Sequence, residues 1–283
     1  VYRPQVLPVG GEEKPLQLTD PDTRKTLTDK GNGTYDLTLS VTGKSVASSG
    51  KTKANVVIVF DSSGSMEDYE QILAETTDNY GTQYGVVNGK YIKLRKDYYD
   101  DTWYYRNGKN NIKYNGTRYK YVWSTRLDVA KQAVNSLAKT LLANNTKEND
   151  DAIEIALIDF ATIVKSTDKY TTYDNFKDKV DSIEAGGGTN WEAALMAANE
   201  YDFQDSDPVY VIFVSDGNPT YRNSKNGHND GYNWLYDVYG SGNHDDKGYN
   251  LDAAKKQAQF IVDNNKHLYR VGAFGNATNM QNL

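Results

Sequence analysis

Three continuous apolar segments constrain the fold of this chain more than any other feature. They are residues 55–60 (NVVIVF), 152–160 (AIEIALIDF) and 208–216 (PVYVIFVSD). Between them, residues 125–143 (TRLDVAKQAVNSLAKTLLA) place apolar side chains on one stripe of a helix. Buried strands that alternate with helices are typical of a mainly parallel sheet covered by helices on both faces. The sequence therefore predicts an α/β fold.

The rest of the chain continues this alternation. Residues 161–167 predict a short edge strand, residues 173–183, 191–201 and 251–265 predict helices, and residues 267–274 predict a fifth strand. With 283 residues, the chain is long enough for one large domain with a substantial core.

Side chains with oxygen donors follow the first apolar strand directly. In VVIVFDSSGSM (56–66), Asp61, Ser63 and Ser65 alternate, and Gly64 allows a tight turn of the backbone. A curled loop can therefore direct three oxygen atoms at one point. Hard oxygen donors without sulfur or imidazole favour a hard cation, Mg²⁺ above all. The same residues could also form an ordinary Asx or Ser turn at the end of a strand.

Two further oxygen donors occur at other strand or helix ends. Thr189 follows three glycines in EAGGGTN (184–190), immediately before a predicted helix, and Asp216 ends the fourth strand. In open parallel sheets, binding side chains collect at the carboxyl ends of the strands, where the strand order reverses. We therefore expect Thr189 and Asp216 to lie at the same crevice as the first loop.

This set of residues resembles the von Willebrand factor type A domain with its metal-ion-dependent adhesion site. The resemblance covers roughly residues 54–275, apart from insertions. It implies a Rossmann-like, doubly wound sheet of order 3-2-1-4-5-6, with the cation between the first and fourth strands. The cation, Mg²⁺ or else Mn²⁺ or Ca²⁺, is then expected to be held by Asp61, Ser63, Ser65, Thr189 and Asp216.

Two insertions distinguish the sequence from a plain domain of this family. They are residues 67–123, which hold eleven of the 23 tyrosines, and residues 217–250. Asn-Gly pairs at 88–89, 107–108 and 115–116 predict short β-hairpins in the first insertion. Because both insertions follow metal-bearing strands, we expect both to rim the metal face and to supply the ligand-binding surface.

The N-terminal segment has a different pattern from the α/β part. TYDLTLSVTG (34–43) alternates apolar and polar residues, which predicts a half-buried strand whose partners lie outside the given residues. We predict that residues 1–50 are a β segment of a split or truncated stalk-type domain and that residues 51–283 are the von Willebrand A-type domain. This plan is similar to that of tip adhesins of sortase-assembled pili of Gram-positive bacteria.

Composition excludes several classes of protein. A net charge of −6 argues against non-specific binding to nucleic acid. There is no cysteine, so no disulfide or thiolate chemistry is possible, and no apolar run approaches the roughly 20 residues that span a bilayer. The resemblance to pilus adhesins implies an extracellular location on a bacterial cell surface, in a cell-wall-anchored pilus with other pilus subunits as partners.

The function that the resemblance implies is metal-dependent cell adhesion. The cation would offer an open coordination position to a carboxylate of a host extracellular-matrix or cell-surface protein. One alternative is a structural pilus or scaffold subunit whose metal stabilises the fold. A Mg²⁺-dependent enzyme is a weaker alternative, because the sequence lacks a phosphate-binding glycine loop, a nucleophile paired with a base and a histidine in the motif. Histidines His228 and His244 are expected to be solvated in loops rather than to hold a second metal.

Overall fold

The structure is a computed structural model of the chain. Its strands and helices account for most of the periodic segments of the sequence. The residues that it describes are 22–29, 35–42, 53–99, 101–145, 152–204, 207–224, 237–245, 247–272 and 278–283.

The described residues form an α/β chain with many short strands. In chain order, the strands are β1 (Asp22–Asp29), β2 (Tyr35–Thr42), β3 (Ala54–Asp61), β4 (Tyr69–Glu75), β5 (Tyr84–Val87), β6 (Lys90–Lys93), β7 (Arg95–Lys96), β8 (Trp103–Asn107), β9 (Asn110–Tyr114), β10 (Arg118–Thr125), β11 (Ile153–Phe160), β12 (Val164–Tyr170), β13 (Val209–Ser215), β14 (Arg222–Asn223), β15 (Val238–Tyr239) and β16 (His267–Gly272).

In the part of the chain that the structure describes, five helices accompany these strands. They are α1 (Arg126–Leu142), α2 (Tyr173–Asp181), α3 (Trp191–Glu200), α4 (Tyr249–Asp263) and α5 (Thr278–Asn282), and a 3-10 turn occupies Gly64–Glu67. Within the described ranges, no helix combines the length and the apolar character that crossing a membrane requires.

The chain divides into two compact units. The first unit comprises Val1–Ser49 and Thr76–Tyr119, and the second comprises Gly50–Glu75 and Lys120–Leu283. The division therefore places most of the tyrosine-rich insertion with the N-terminal segment. The domain boundaries predicted from the sequence, at residues 50 and 51, remain a prediction.

The second unit is built on the doubly wound sheet that the sequence predicts. Its five strands lie in the order β12-β11-β3-β13-β16. Numbered along the chain, this order is 3-2-1-4-5. Strand β3 pairs in parallel with both β11 and β13, β16 pairs in parallel with β13, and only the edge strand β12 is antiparallel. The order and direction of these strands confirm the mainly parallel sheet, and its reversal point lies between β3 and β13.

Helices cover both faces of this sheet, which explains why its central strands are apolar throughout. One face packs against α3 and α4, where Trp191 lies against Phe213 with ring centroids 5.4 Å apart. The opposite face packs against α1 and α2. Alternate residues of β3 enter the two cores, Val57 and Val59 on one side and Ile58 on the other. The burial of apolar area on both faces is the main stabilising term for such a sheet.

The first unit contains short antiparallel pairs, as the turn signals predict. Strands β5 and β6 form a hairpin whose turn residues Asn88 and Gly89 both have positive φ, and β8 and β9 form another around Gly108. The third predicted hairpin is wrong, because β9 and β10 belong to different sheets. There the chain bends around the ring of Tyr114, whose hydroxyl donates to the Thr117 carbonyl at 2.7 Å.

The N-terminal strand predicted at residues 34–43 is confirmed as β2, but its neighbour lies within the chain. Strand β1 pairs antiparallel with β2 over eight residues each, from Asp22 opposite Thr42 to Asp29 opposite Tyr35. The expectation that every partner of this strand lies outside the given residues is therefore wrong. The apolar and polar alternation marked the strand, whereas the polar sequence of β1 (DTRKTLTD) gave no comparable signal.

Hydrogen exchange should separate the two kinds of sheet. Because β2 belongs to a two-stranded sheet and β3 lies between two strands, the amides of Tyr35–Thr42 should exchange at least about 100-fold faster than those of Val56–Phe60. Amide exchange resolved by NMR or mass spectrometry measures this. Equal protection of the two strands would contradict it.

Candidate metal centre

The candidate site lies at the carboxyl ends of two adjacent parallel strands. Strand β3 ends at Asp61, and β13 ends one residue before Asp216. The register places Phe60 opposite Val214, so both acids leave the same edge of the sheet. Asp61 is 0% exposed and Asp216 is 3% exposed. Topology therefore buries two carboxylates side by side.

The loop after β3 curls so that its alternate residues face these carboxylates. The backbone N–H of Ser63 donates to Asp61 Oδ1 at 2.8 Å. The hydroxyl oxygens of Ser63 and Ser65 lie 3.3 Å apart, and Ser65 Oγ donates to Asp216 Oδ1 at 3.0 Å. Four of the five predicted residues thus form one hydrogen-bonded group, which Asp61 joins through the Ser63 N–H.

The fifth predicted residue, Thr189, belongs to a glycine-rich turn that packs on the same loop. The N–H of Gly64 donates to the Gly187 carbonyl at 2.9 Å, and Gly187 has a φ of +85°, which favours glycine. Thr189 is buried, and its backbone bonds to Thr220 and Tyr221, which follow Asp216. The hydrogen bonds of Thr189 to described residues therefore tie its turn to the loop after β13, and none of them reaches the other four predicted residues.

Burial and mutual repulsion dominate the electrostatics of the site. Burial, together with the negative charge of Asp216, raises the pKa of Asp61 to about 7, although hydrogen bonds from Ser215 and Ser63 oppose the shift. Ser215 Oγ donates to Asp61 Oδ2 and accepts from Trp191 Nε1 at 3.0 Å. Two neighbouring buried acids with hydroxyls beside them fit a hard divalent cation, which would relieve their repulsion.

The sequence did not predict that Arg126 places a positive charge at this site. Arg126 Nη1 lies 2.9 Å from Asp216 Oδ2, and Arg126 Nη2 lies 2.8 Å from Glu70 Oε1. Arg126 is the first residue of α1, after the N-cap Thr125. A positive charge is unfavourable at the positive end of the helix dipole. An arginine at this position therefore indicates that a nearby acid compensates it.

Ser62, which the motif skips, faces a separate network. Its hydroxyl donates to Asp159 Oδ1 and to the Phe160 carbonyl, and it accepts from Lys165 Nζ at 2.9 Å. Lys165 also donates to the Glu184 carbonyl at 3.2 Å. These bonds fasten the loop after β3 to β11, β12 and the glycine-rich turn, and they hold the alternate residues in place.

The other possible metal ligands of the sequence are His228 and His244. Across the described ranges, no three or more His, Asp or Glu side chains form a group that could hold a metal ion, so the candidate site has two acids plus hydroxyls. His228 lies outside the described residues. His244 is exposed, and its Nδ1 lies 3.2 Å from Ser241 Oγ. The part of residues 217–250 between 225 and 236 is likewise outside the described ranges.

Comparison with protein families finds one match. Residues 115–218 match the von Willebrand factor type A domain. The match includes Thr189 and Asp216 and begins after Asp61, Ser63 and Ser65. Comparison with curated proteins gave no match. Together with the order of the strands, the match agrees with the Rossmann-like von Willebrand A fold of the second unit.

Solved structures with similar folds include three proteins of bacterial pili. The vWF domain of the type V pili tip protein Mfa5 from Porphyromonas gingivalis is 16% identical with a TM-score of 0.39, and the match covers 63% of this chain and 43% of that one. The pilus adhesin SpaC from Lactobacillus rhamnosus GG is 16% identical with a TM-score of 0.45 (89% and 28% covered). The PilB minor pilin from Streptococcus sanguinis is 12% identical with a TM-score of 0.47 (93% and 75% covered). The chain spans less than half of the Mfa5 and SpaC structures.

The raised pKa of Asp61 predicts how the stability of the metal-free protein depends on pH. The folded protein holds a proton that the unfolded chain releases near pH 3.8, so this stabilisation is complete below pH 3.8 and is lost as the pH rises to about 7. The loss should be on the order of 4 kcal/mol. Asp61→Asn, compared with the wild type in EDTA, should be close to neutral at pH 4 and clearly more stable at pH 8.

Urea unfolding at a series of pH values between 4 and 8 measures this difference. Subtracting the wild-type curve from that of the variant cancels the other titrating groups. A difference in unfolding free energy that stays constant across the range would show that Asp61 does not titrate in this way.

Proposed function

We propose that the second unit binds a divalent cation, Mg²⁺ above all, and uses it to attach to a carboxylate of a protein ligand. The observation that carries the proposal is the pair of buried acids linked through Ser63 and Ser65 at the reversal point of the sheet. The residues that would hold the cation are Asp61, Ser63, Ser65, Thr189 and Asp216.

The chemistry of the donor set supports Mg²⁺ or Mn²⁺ more than Ca²⁺. Mg²⁺ is usually bound through one or two carboxylates and keeps several waters, whereas Ca²⁺ takes six to eight oxygen ligands. Asp61 and Asp216 supply two carboxylates, and the hydroxyls are neutral. When bound, such a cation supplies a coordination position at which a carboxylate of the ligand replaces water.

The setting that we propose is the one that the sequence resemblance implies. The chain would act outside the cell, on a pilus of the bacterial cell wall, and bind a host extracellular-matrix or cell-surface protein without catalysis. Other pilus subunits would be its neighbours. An alternative is a structural subunit in which the cation stabilises the fold, and the two differ in whether chelation abolishes attachment or only lowers stability.

The tyrosine-rich insertion is the proposed source of ligand selectivity, and the charge of its central part, Thr76–Tyr119, suits an acidic ligand. Thr76–Tyr119 contains eight Lys and Arg, four Asp and no Glu, so its net charge is +4. Because the whole chain has a net charge of −6, the remaining residues have a net charge of −10. In the sheet β7-β8-β9, the register aligns Arg95, Tyr104 and Lys113 in one row across the three strands. Arg95 and Lys113 are both exposed. Rows of this kind steer acidic partners.

Removing either acid should weaken metal binding strongly without unfolding the protein. Asp61→Ala and Asp216→Ala should each weaken Mg²⁺ or Mn²⁺ binding at least about 100-fold, because removing even a supporting residue costs about 10- to 100-fold. Isothermal titration calorimetry measures the affinity, and circular dichroism checks the fold. Asp181→Ala, which removes an exposed acid of α2, is the control. Unchanged affinity in the first two variants would refute the assignment.

Replacing the insertion should separate attachment from metal binding. The Thr76 N–H donates to the Arg118 carbonyl at 2.8 Å, so a short Gly-Ser linker can replace Thr76–Tyr119 and retain β4 and most of β10. We expect this variant to bind Mg²⁺ as the wild type does but to lose or change its attachment to matrix proteins. Thr189→Ala should instead weaken attachment to every ligand.

A binding screen against extracellular-matrix proteins, with Mg²⁺ or with EDTA, measures the attachment of the linker variant and of Thr189→Ala. If the linker variant attaches to the same protein as strongly as the wild type does, the insertion does not determine ligand selectivity. If EDTA leaves the attachment of the wild type intact, the cation does not take part in it.

A further inference from the structure

Arg126 contacts three acidic side chains at the candidate site. Its guanidinium reaches Asp216, Glu70 and, at 3.2 Å, Asp68 Oδ2. Its backbone N–H donates to the Asp68 carbonyl at 3.0 Å, which fixes the start of α1 beside the loop after β3. The side chain is 17% exposed. These bonds hold one cation at a defined place beside a buried acid.

The two oxygens of Asp216 have different partners. Oδ1 accepts from Ser65, a predicted metal ligand, and Oδ2 accepts from Arg126. A buried carboxylate without a partner is strongly destabilising. In the protein without metal, Arg126 therefore supplies the positive charge that makes the burial of Asp216 tolerable.

A divalent cation would serve the same acid. If both positive charges lie near Asp216, they repel each other, and each reduces the benefit that the other gains from the carboxylate. Glu70 and Asp68 offer Arg126 other acidic partners, and they are more exposed, at 34% and 63% of their side chains. The arrangement thus gives Arg126 a place to remain when Asp216 is neutralised by another cation.

We propose that Arg126 is a built-in counter-ion that competes with the divalent cation for Asp216 and thereby lowers the affinity of the site for metal. This inference rests on the proposed function and adds a regulator of the same site. Arg126 keeps the protein folded without metal and sets the concentration at which the cation binds. Loss of its charge should therefore raise the affinity for metal and lower the stability of the metal-free protein.

The test compares three single variants by calorimetry with Mg²⁺ and Mn²⁺ at one pH. Arg126→Gln should bind Mg²⁺ at least about tenfold more tightly than the wild type. Arg126→Lys keeps the charge but loses the forked hydrogen bonds, so it should bind Mg²⁺ more weakly than Arg126→Gln does. Lys131→Gln removes a charge from the next turn of the same helix and should leave the affinity unchanged. Equal or weaker Mg²⁺ binding by Arg126→Gln would overturn the proposal and make Arg126 a positioning residue for Asp216.

Thermal unfolding gives a second readout that does not depend on ligand attachment. In EDTA, Arg126→Gln should melt below the wild type, and Mg²⁺ should raise its Tm more than it raises that of the wild type. If the variant is unfolded in EDTA, Mg²⁺ should restore folding, and failure to fold in both conditions would overturn the proposal.

One further arm distinguishes this inference from the proposed function. If the wild type binds neither Mg²⁺ nor Mn²⁺, the proposed function fails, and the counter-ion role is judged in EDTA alone. Arg126→Gln should then lower the Tm in the wild-type background and much less in an Asp216→Asn background, where no buried charge needs a partner. An equal loss in both backgrounds would overturn the counter-ion role as well.

Discussion

The burial of two like charges at one edge of a parallel sheet is the constraint on which the rest of the site depends. Asp61 and Asp216 leave neighbouring strands in register, so the fold cannot move them apart. Burial weakens the hydration of each carboxylate and strengthens their repulsion, and it raises the pKa of Asp61. Arg126, Ser65 and Ser215 contact these carboxylates, and the hydrogen bonds of Lys165 hold the loop after β3 in place.

The chain compensates the two acids in different ways. Asp216 has a full positive charge beside it, from Arg126, and a hydroxyl from Ser65. Among the described residues, Asp61 accepts hydrogen bonds only from dipoles, namely the Ser63 N–H and the hydroxyl of Ser215. Ser215 is oriented in turn by Trp191, a side chain fully buried in the core under the sheet. The packing of α3 therefore fixes a hydrogen bond to the site.

The sequence was most informative where local pattern and topology agree. The apolar runs of β3, β11 and β13 predicted strands buried on both faces, and the order of these strands is the one that the resemblance to the von Willebrand A domain implied. The positions of Asp61, Ser63, Ser65 and Asp216 followed from that topology. The pairing of β4 with β10 could not be predicted in the same way, because it joins residues some fifty positions apart across an insertion of many short strands. Arg126 was missed because its partners Asp216 and Glu70 are distant in sequence.

The unequal compensation of the two acids indicates what a cation would change. Because Asp216 already has a charged partner, its burial does not require metal, and the fold is satisfied on that side without it. The uncompensated charge at neutral pH is that of Asp61, which burial and Asp216 together destabilise. A cation would therefore act chiefly on Asp61, and the positive charge that it adds would not be needed to hold the sheet together. On this basis we propose that the cation serves attachment rather than a purely structural role.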